Sequence, residues 1–354
     1  MMEHPKILAL IPAYNSAEYV EKAIKSLLQQ DYPDLRILVM DDCSSDGTPA
    51  VAHGYGQRVE IARNHCNLGF FGSLNQGLAL ARDEDFVLVH QDDVELIDGD
   101  YLSRALEHFN GPNVGVVCGQ ATNFSRKRLS LDKRVFSRLC AYDYVETAVA
   151  QATFTFVKAD LFRMSALRYI GGFSYEAPYH QGLVQEDQII AQKLRENGYL
   201  LIKDPSLRYQ LDYARTEGLW GFLLKEAGAG KDLGIAIGSG MIDANPKGSG
   251  ENRVKRNFRW SQIITVTAFI ASLLLIIWSI PVGIGAALTV IILRSADLNR
   301  RAYGFLPSER LYFIGFGLLF DVVAGVQIYI GIMLGIFSRL RGFISPSPSR
   351  KKMK

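Results

Sequence analysis

The chain has 354 residues, 4 cysteines and a nearly balanced charge, 39 basic against 36 acidic residues for a formal +3. That length accommodates one large or two ordinary domains. The cysteines lack CxxC or Cys/His ligand spacing, which argues against a zinc framework and for unpaired thiols, and so small a net charge gives no electrostatic case for nucleic acid. The charges are unevenly placed. Residues 260–336 hold only seven charged side chains, Arg294, Asp297, Arg300, Arg301, Glu309, Arg310 and Asp321, so a soluble domain is followed by a segment suited to lipid.

In chain order, Lys6–Ile11 is an apolar run ended by Pro12, the pattern of a buried parallel strand and too short for a signal peptide. Asn15 and Glu18 have capping-box spacing, and Val20, Ala23, Ile24, Leu27 and Leu28 then line one helical face. Arg36–Met40 reads as a second strand running into the turn-rich loop Asp41–Thr48. A strand at Val59–Ala62, a helix at Ser73–Arg82 and a strand at Phe86–Val89 follow, the last ending at His90-Gln91-Asp92-Asp93. Alternating strands and helices predict a mostly parallel, doubly wound α/β sheet. Ligands in such sheets sit beyond the carboxyl ends of the strands, and the polar loops 12–15, 41–48 and 90–93 all occupy that position. Further on, Val114–Cys118 and Phe154–Val157 read as strands and Glu186–Asn197 as a helix stopped by Gly198.

Residues 228–250, glycine-rich at the start, read as a mobile loop, and 251–259 as a basic approach to the membrane. Two uncharged runs follow, 261–293 and, interrupted only by Asp321, 311–337; about 20 apolar residues cross a bilayer, so each is long enough. Two spans leave eleven flanking cations inside and four outside; three, with the first run folded at Pro281, leave nine and six. The positive-inside rule favours two. The expected division is a catalytic domain at 1–227, a loop and basic approach at 228–260, a transmembrane region at 261–337 and a basic tail at 338–354. Asp321 reads either as a functional group in the membrane or as a hydrogen-bond partner of a neighbouring helix. Trp220 reads as a core contact and Trp260 as an interface marker.

Adjacent aspartates at a strand end, Asp92 and Asp93, can hold Mg²⁺ or Mn²⁺ through oxygen. Residues 10–15 (L-I-P-A-Y-N), 39–48 (V-M-D-D-C-S-S-D-G-T), 67–77 (N-L-G-F-F-G-S-L-N-Q-G), 90–93 (H-Q-D-D) and the stretch from G-G-F at 171 to Q-E-D ending at 187 together resemble the family 2 glycosyltransferases, which have the GT-A fold. The resemblance covers roughly residues 5–215. It implies a nucleotide-contacting loop of Pro12, Ala13, Tyr14 and Asn15, with Tyr14 against the base. It further implies a base-binding Asp42, a donor pocket lined by Asn75 and Gln91, metal binding by Asp92 with Asp93 beside it, and a general base at Asp187 next to Glu186. His90 stands at the first acidic position of the D-x-D motif and Ile189 at the second acidic position after E-D. His180 precedes that motif and reads equally as a ligand contact or an exposed loop histidine.

The resemblance implies an inverting, Mg²⁺- or Mn²⁺-dependent transfer of a sugar from a nucleotide-diphospho-sugar. The apolar segment adds a multi-pass anchor with the catalytic domain in the cytoplasm, at the plasma membrane rather than the endoplasmic reticulum, and a lipid-linked or cell-envelope glycan acceptor. Two rivals stay open. A processive polysaccharide synthase would carry Q-x-x-R-W before its spans; Arg259-Trp260 is present, with Arg256 in place of Gln. A non-catalytic nucleotide-sugar-binding scaffold would have no use for Asp187.

Overall fold

The computed structural model describes residues 4–122, 130–139, 148–152, 155, 157–173, 186–211, 218–238 and 250–340. The chain divides into two compact units: Met1–Asn123 with Val145–Arg215 and Pro246–Ser249, and Phe124–Tyr144 with Thr216–Asn245 and Gly250–Lys354. The first ends before the expected boundary at 227, and the second takes in a segment from within the first.

The first unit runs β1 (Ile7–Ala13), α1 (Val20–Leu28), β2 (Leu35–Asp41), α2 (Thr48–His53), β3 (Glu60–Arg63), α3 (Gly69–Ala79), β4 (Phe86–His90), β5 (Val94–Leu96), α4 (Tyr101–Leu106) and β6 (Val114–Ala121). The second unit's α5 (Leu131–Leu139) interrupts it before β7 (Ala150–Ala152), β8 (Ala159–Arg163), α6 (Met164–Tyr169), α7 (Glu186–Glu196) and β9 (Leu200–Leu211). The sheet order is β3-β2-β1-β4-β8-β6-β9-β5, with β7 also on β9. The strands β3, β2, β1 and β4 are parallel, and β8 is antiparallel to β4 and β6. β1 is buried along its whole length, as a central strand covered on both faces must be. One face packs against Val20, Ile24 and Leu27 of α1; the other packs against Phe71 and Leu74 of α3 and Ile190, Ala191 and Leu194 of α7. The sheet is thus doubly wound, as the periodicity predicts, with a mixed half beyond β4.

Three local expectations change. Asn15 does not cap α1: it lies at φ 48°, Tyr19 holds the cap position, and the Asn15 side chain turns to the next loop. The strand expected at Phe154–Val157 lies at Ala159–Arg163 instead; Phe154 and Phe156 fall outside the described residues, and Val157 sits at φ 51°, outside strand conformation. The helix expected from Ser73 begins at Gly69, because the Asp42 carboxylate accepts from the backbone N–H groups of Leu68 and Gly69 and satisfies that helix start from outside.

The second unit also contains α8 (Gly218–Gly238), α9 (Gly250–Trp278), α10 (Ile280–Arg301) and α11 (Pro307–Leu340). Residues 228–238 are therefore helix, where the glycines suggested a loop; the rest of the expected loop, 239–249, lies outside the described residues. The glycines face a partner. A Cβ on Gly230, Gly234 or Gly238 would meet α11 backbone at Ala324, Ile328 or Ile332, and one on Gly331 would meet the Lys231 carbonyl. Glycine every fourth residue lets two helix backbones touch, the small-residue packing typical of membrane helices. Contacts advance together along both chains, so α8 and α11 run parallel. Trp220 is 68% exposed and meets Phe316 edge-on, a partner on the surface and not a core contact.

The run 261–293 is not one helix. It breaks at Ser279, at φ −159° and ψ 112°, with Pro281 in the first turn of α10. Pro favours that place because the N–H it lacks would have no helical partner. Two helices, Ile280–Arg301 and Pro307–Phe337, are long and apolar enough to cross a membrane; Gln262–Trp278 is a shorter apolar helix. Asp321 is fully buried and accepts two hydrogen bonds from Arg294, Nε to Oδ2 at 2.5 Å and Nη2 to Oδ1 at 3.1 Å. It is a helix-to-helix partner, with an arginine as its donor.

Candidate active site

The carboxyl ends of β1, β2 and β4 lie side by side, and hydrogen bonds stitch the loops that leave them. Asn15 N donates to Ser44 Oγ (3.0 Å), Ser45 N to Asn15 Oδ1 (2.9 Å), Ser16 N to Thr48 Oγ1 (2.7 Å) and Ala17 N to Asp46 Oδ2 (3.1 Å). Ser16 Oγ donates to Asp92 Oδ2, which brings in the third loop. Pro12 and Ala13 are buried at the end of β1, and Tyr14 projects from it, 47% exposed. An aromatic ring displayed above a polar floor can stack on a flat ligand.

Asp42 is buried, and its carboxylate accepts from Asn64 Nδ2 and Leu68 N at 2.8 Å each and from Gly69 N at 2.9 Å. A carboxylate offers about four lone-pair directions, so roughly one remains for a ligand. Beside it, the buried Asp41 accepts from Ser44 N and lies 3.2 Å from Arg63 Nη1. Burial raises the Asp46 carboxyl, but hydrogen bonds from Thr48 Oγ1, Thr48 N and Ala17 N outweigh it and hold the group below the usual 3.8.

At the end of β4, Asp92 is buried, and the Asp93 Oδ1 atom is buried with no hydrogen-bond partner. Two hard carboxylate oxygens, one waiting for a partner, fit Mg²⁺ or Mn²⁺. Among the described residues no group of three or more His, Cys, Asp or Glu gathers as a metal cluster. His90 is buried and neutral, its pKa lowered by desolvation to about 4. Its Nδ1 lies 3.0 Å from the Gln91 carbonyl, so Nδ1 carries the proton and Nε2 is a buried acceptor without a partner.

Gln91 is committed to the protein. Its N donates to the Lys158 carbonyl (2.9 Å), its Nε2 to the Val157 carbonyl (3.2 Å), and its Oε1 accepts from Lys158 Nζ. The turn it grips is held in turn by Asp160, whose Oδ2 accepts from Thr155 Oγ1 and, at 2.9 Å, from Val157 N. Left-handed backbone is a real outlier for a β-branched residue and persists only when its surroundings impose it. Asp160 and Gln91 impose it on Val157, which fixes the start of the aspartate loop. Ser16, Asp160, Lys158 and Asn64 went unnoticed in the sequence. A single charge inside an apolar strand, as at Asp160, is the one signal that points to any of them.

Asn75 Oδ1 accepts from Phe173 N (2.9 Å) and so ties α3 to the G-G-F turn, where Gly172 needs φ 73°. Asp187 stands in the first turn of α7, half-buried, with Oδ1 accepting from Gln188 N. Glu186 opens the same helix. α7 and α3 pack on one face of the sheet. Residues 174–185, His180 included, lie outside the described residues. The structure thus joins loops 12–17, 41–48 and 90–93 directly and joins Asn75 to the G-G-F turn. Cys43, Cys66 and Cys118 are unpaired. A groove of about 1090 Å³ lined by His4, Lys6, Asp83, Glu84, Arg168 and Tyr169 lies at the opposite end of β1 and β4, away from every one of these loops.

A doubly wound sheet of this order, with aspartate-bearing loops at its carboxyl edge, has the GT-A glycosyltransferase fold. The chain resembles the mannosyltransferase PcManGT of Pyrobaculum calidifontis, solved with GDP-Man and Mn²⁺, at a TM-score of 0.56 and 17% identity, over 96% of this chain and 88% of that one. Residues 9–170 match glycosyl transferase family 2, and by that domain the chain belongs to the family. It is 25% identical to the putative glycosyltransferase EpsH of Bacillus subtilis over 53% of this chain and 51% of that protein. It is 37% identical to the GalNAc(5)-diNAcBac-PP-undecaprenol beta-1,3-glucosyltransferase of Campylobacter jejuni over 30% of this chain and 35% of that protein. The chain thus spans about half or less of these relatives' lengths.

Proposed function

We propose that this protein is a membrane-anchored, inverting glycosyltransferase that moves a sugar from a nucleotide-diphospho-sugar to a hydroxyl of a lipid-linked or cell-envelope glycan. One observation carries the reading: in a family 2 domain, Ser16 Oγ bonds Asp92, which makes one pocket of the three strand-end loops. Tyr14 stacks on the base, and the free lone pair of Asp42 accepts a base N–H. Asn75 keeps α3 against the G-G-F turn and so shapes the donor side, and Gln91 acts through the aspartate loop it anchors. Asp92 and Asp93 would hold Mg²⁺ or Mn²⁺, whose charge would stabilise the diphosphate as it leaves. Asp187 takes the acceptor hydroxyl's proton as that oxygen attacks, and Glu186 precedes it at the helix start. One base with no partner nucleophile supports a single displacement and hence inversion.

The apolar helices of the second unit support a membrane location, with the catalytic domain on the cytoplasmic side of a plasma membrane. The Campylobacter relative, whose acceptor is a lipid-linked glycan by its name, supports an acceptor of that class. The test is a transfer screen over common nucleotide sugars with polyprenyl-diphosphate glycans as acceptors. Turnover lost in Asp187→Asn, with donor binding kept, supports the reading. A wild type that binds donor and transfers to no acceptor makes it a scaffold.

A further inference from the structure

Residues 262–293 contain no charge, and where they turn, at Trp278-Ser279-Ile280-Pro281, the chain is at its most exposed and still apolar: Trp278 is 93% exposed and Ile277 80%. The turn is tight. A Cβ on Gly283 would stand 2.5 Å from the Ile276 nitrogen, so α9 and α10 touch directly beside the break. Their far ends flank one helix: Gln262 and Val266 meet α11 at Gly325, and Arg294 meets it at Asp321. The two helices therefore form a hairpin, its base polar and its tip apolar. Charge collects at the base, in Arg294, Asp297, Arg300 and Arg301, linked by ion pairs through Asp297.

We infer that this hairpin is re-entrant: it enters the bilayer and turns inside the hydrocarbon, its tip solvated by acyl chains and not by water on the far side. The inference rests on the membrane location proposed above. At 1.5 Å per residue the apolar arms 262–278 and 280–293 reach about 25 and 21 Å, against about 30 Å of hydrocarbon. A turn that emerged would lie among headgroups, where polar residues belong; this one offers only Ser279. Its polar groups are also provided for internally, as lipid requires. Ser279 N donates to the Leu275 carbonyl (2.8 Å), Gly283 N to the Ser279 carbonyl (2.9 Å), and Pro281 has no N–H to satisfy. In the arms, Thr267, Ser272 and Thr289 each donate to the carbonyl four residues earlier.

The test uses the full chain with Trp220→Phe and Trp260→Phe, leaving Trp278 as the sole reporter, in phosphatidylcholine–phosphatidylglycerol vesicles. Lipids carrying a spin label at the headgroup or at mid-chain are compared. Trp278 emission is expected to be quenched several-fold more by the mid-chain label than by the headgroup label, and to be untouched by iodide on either side. Quenching by iodide or chiefly by the headgroup label overturns the inference while leaving membrane insertion standing. A protein that stays free of the vesicles overturns both. As an independent measurement, Ser279→Asp in the otherwise unaltered chain should cut stable insertion at least tenfold; insertion equal to the wild type would mean that the turn already sits in water.

Discussion

Ser16 Oγ donates to Asp92 Oδ2, so a residue just past β1 steadies an aspartate just past β4. The same Ser16 donates its backbone N–H to Thr48 Oγ1 at the start of α2, and one residue thus ties three loops. Ser16→Ala removes the side-chain bond alone. Hydrogen bonds to charged groups contribute about 1.5–3 kcal/mol, so metal-dependent donor affinity should fall roughly ten- to hundred-fold. Calorimetric titration of Mn²⁺ and nucleotide sugar checks it; an unchanged affinity would show that Asp92 needs no such support.

Chelation bears on the same pair of aspartates. Excess EDTA should abolish turnover and Mn²⁺ or Mg²⁺ restore it, with Asp92→Ala more damaging than Asp93→Ala. The Asp93 Oδ1 atom, buried and unpartnered, gives that ordering an informative alternative: if Asp93→Ala is the worse of the two, the metal sits one residue further along the loop than the family motif implies. Full activity in chelator would remove the metal altogether.

Asp187→Asn keeps shape and hydrogen bonding and removes the proton acceptor. General-base catalysis contributes about 10²–10⁴-fold, so kcat should drop by that factor while donor affinity holds. A variant within a few-fold of wild type would pass the role to Glu186.

Acid should loosen the nucleotide loops before it unfolds the core. The Asp46 carboxyl is held below its usual value by bonds to Thr48 and Ala17. A depressed carboxylate stabilises the fold above the usual range near 3.8, and that contribution is lost as pH falls through the lower folded value. Asp46→Asn should remove this acid-side dependence and weaken donor binding at neutral pH. Tyr14 quenching by nucleotide, followed from pH 6 to 3 in both proteins, reads it; parallel profiles would exonerate Asp46.

The sheet and the three loops were legible because they rest on short-range patterns: apolar runs for β1, β2 and β4, a helical stripe for α1, and polar residues after each strand. The remainder depends on pairings distant in sequence. Asn15 has capping-box spacing, yet its side chain serves Ser45, thirty residues away. Gly230, Gly234 and Gly238 look like a loop until α11 supplies a backbone to pack against. Residues 261–293 satisfy the length of one span, and only the extended Ser279 shows two helices. Asp160 acts through Val157, a left-handed residue that no propensity anticipates.

That reversal at Ser279 also decides the side on which the tail emerges. A single span through 261–293 would return residues 338–354 to the side of the catalytic domain. A hairpin instead brings the chain back to its starting side at Arg301, and α11 leaves from there. Its apolar part, residues 311–337, is about 40 Å long against about 30 Å of hydrocarbon, and its buried Asp321 is matched by Arg294. One crossing then puts nine flanking cations with the catalytic domain and six beyond, still the direction that the positive-inside rule favours. A reporter fused after Lys354 is therefore expected on the opposite face from one fused at Met1. Arg294→Ala in the same fusion protein should strand Asp321 in an apolar setting, cost about 3–5 kcal/mol and lower the yield of inserted protein, with Arg294→Leu plus Asp321→Leu recovering most of it. Reporters on one face would mean that α11 turns back or lies along the surface, and the crossing would have to be withdrawn.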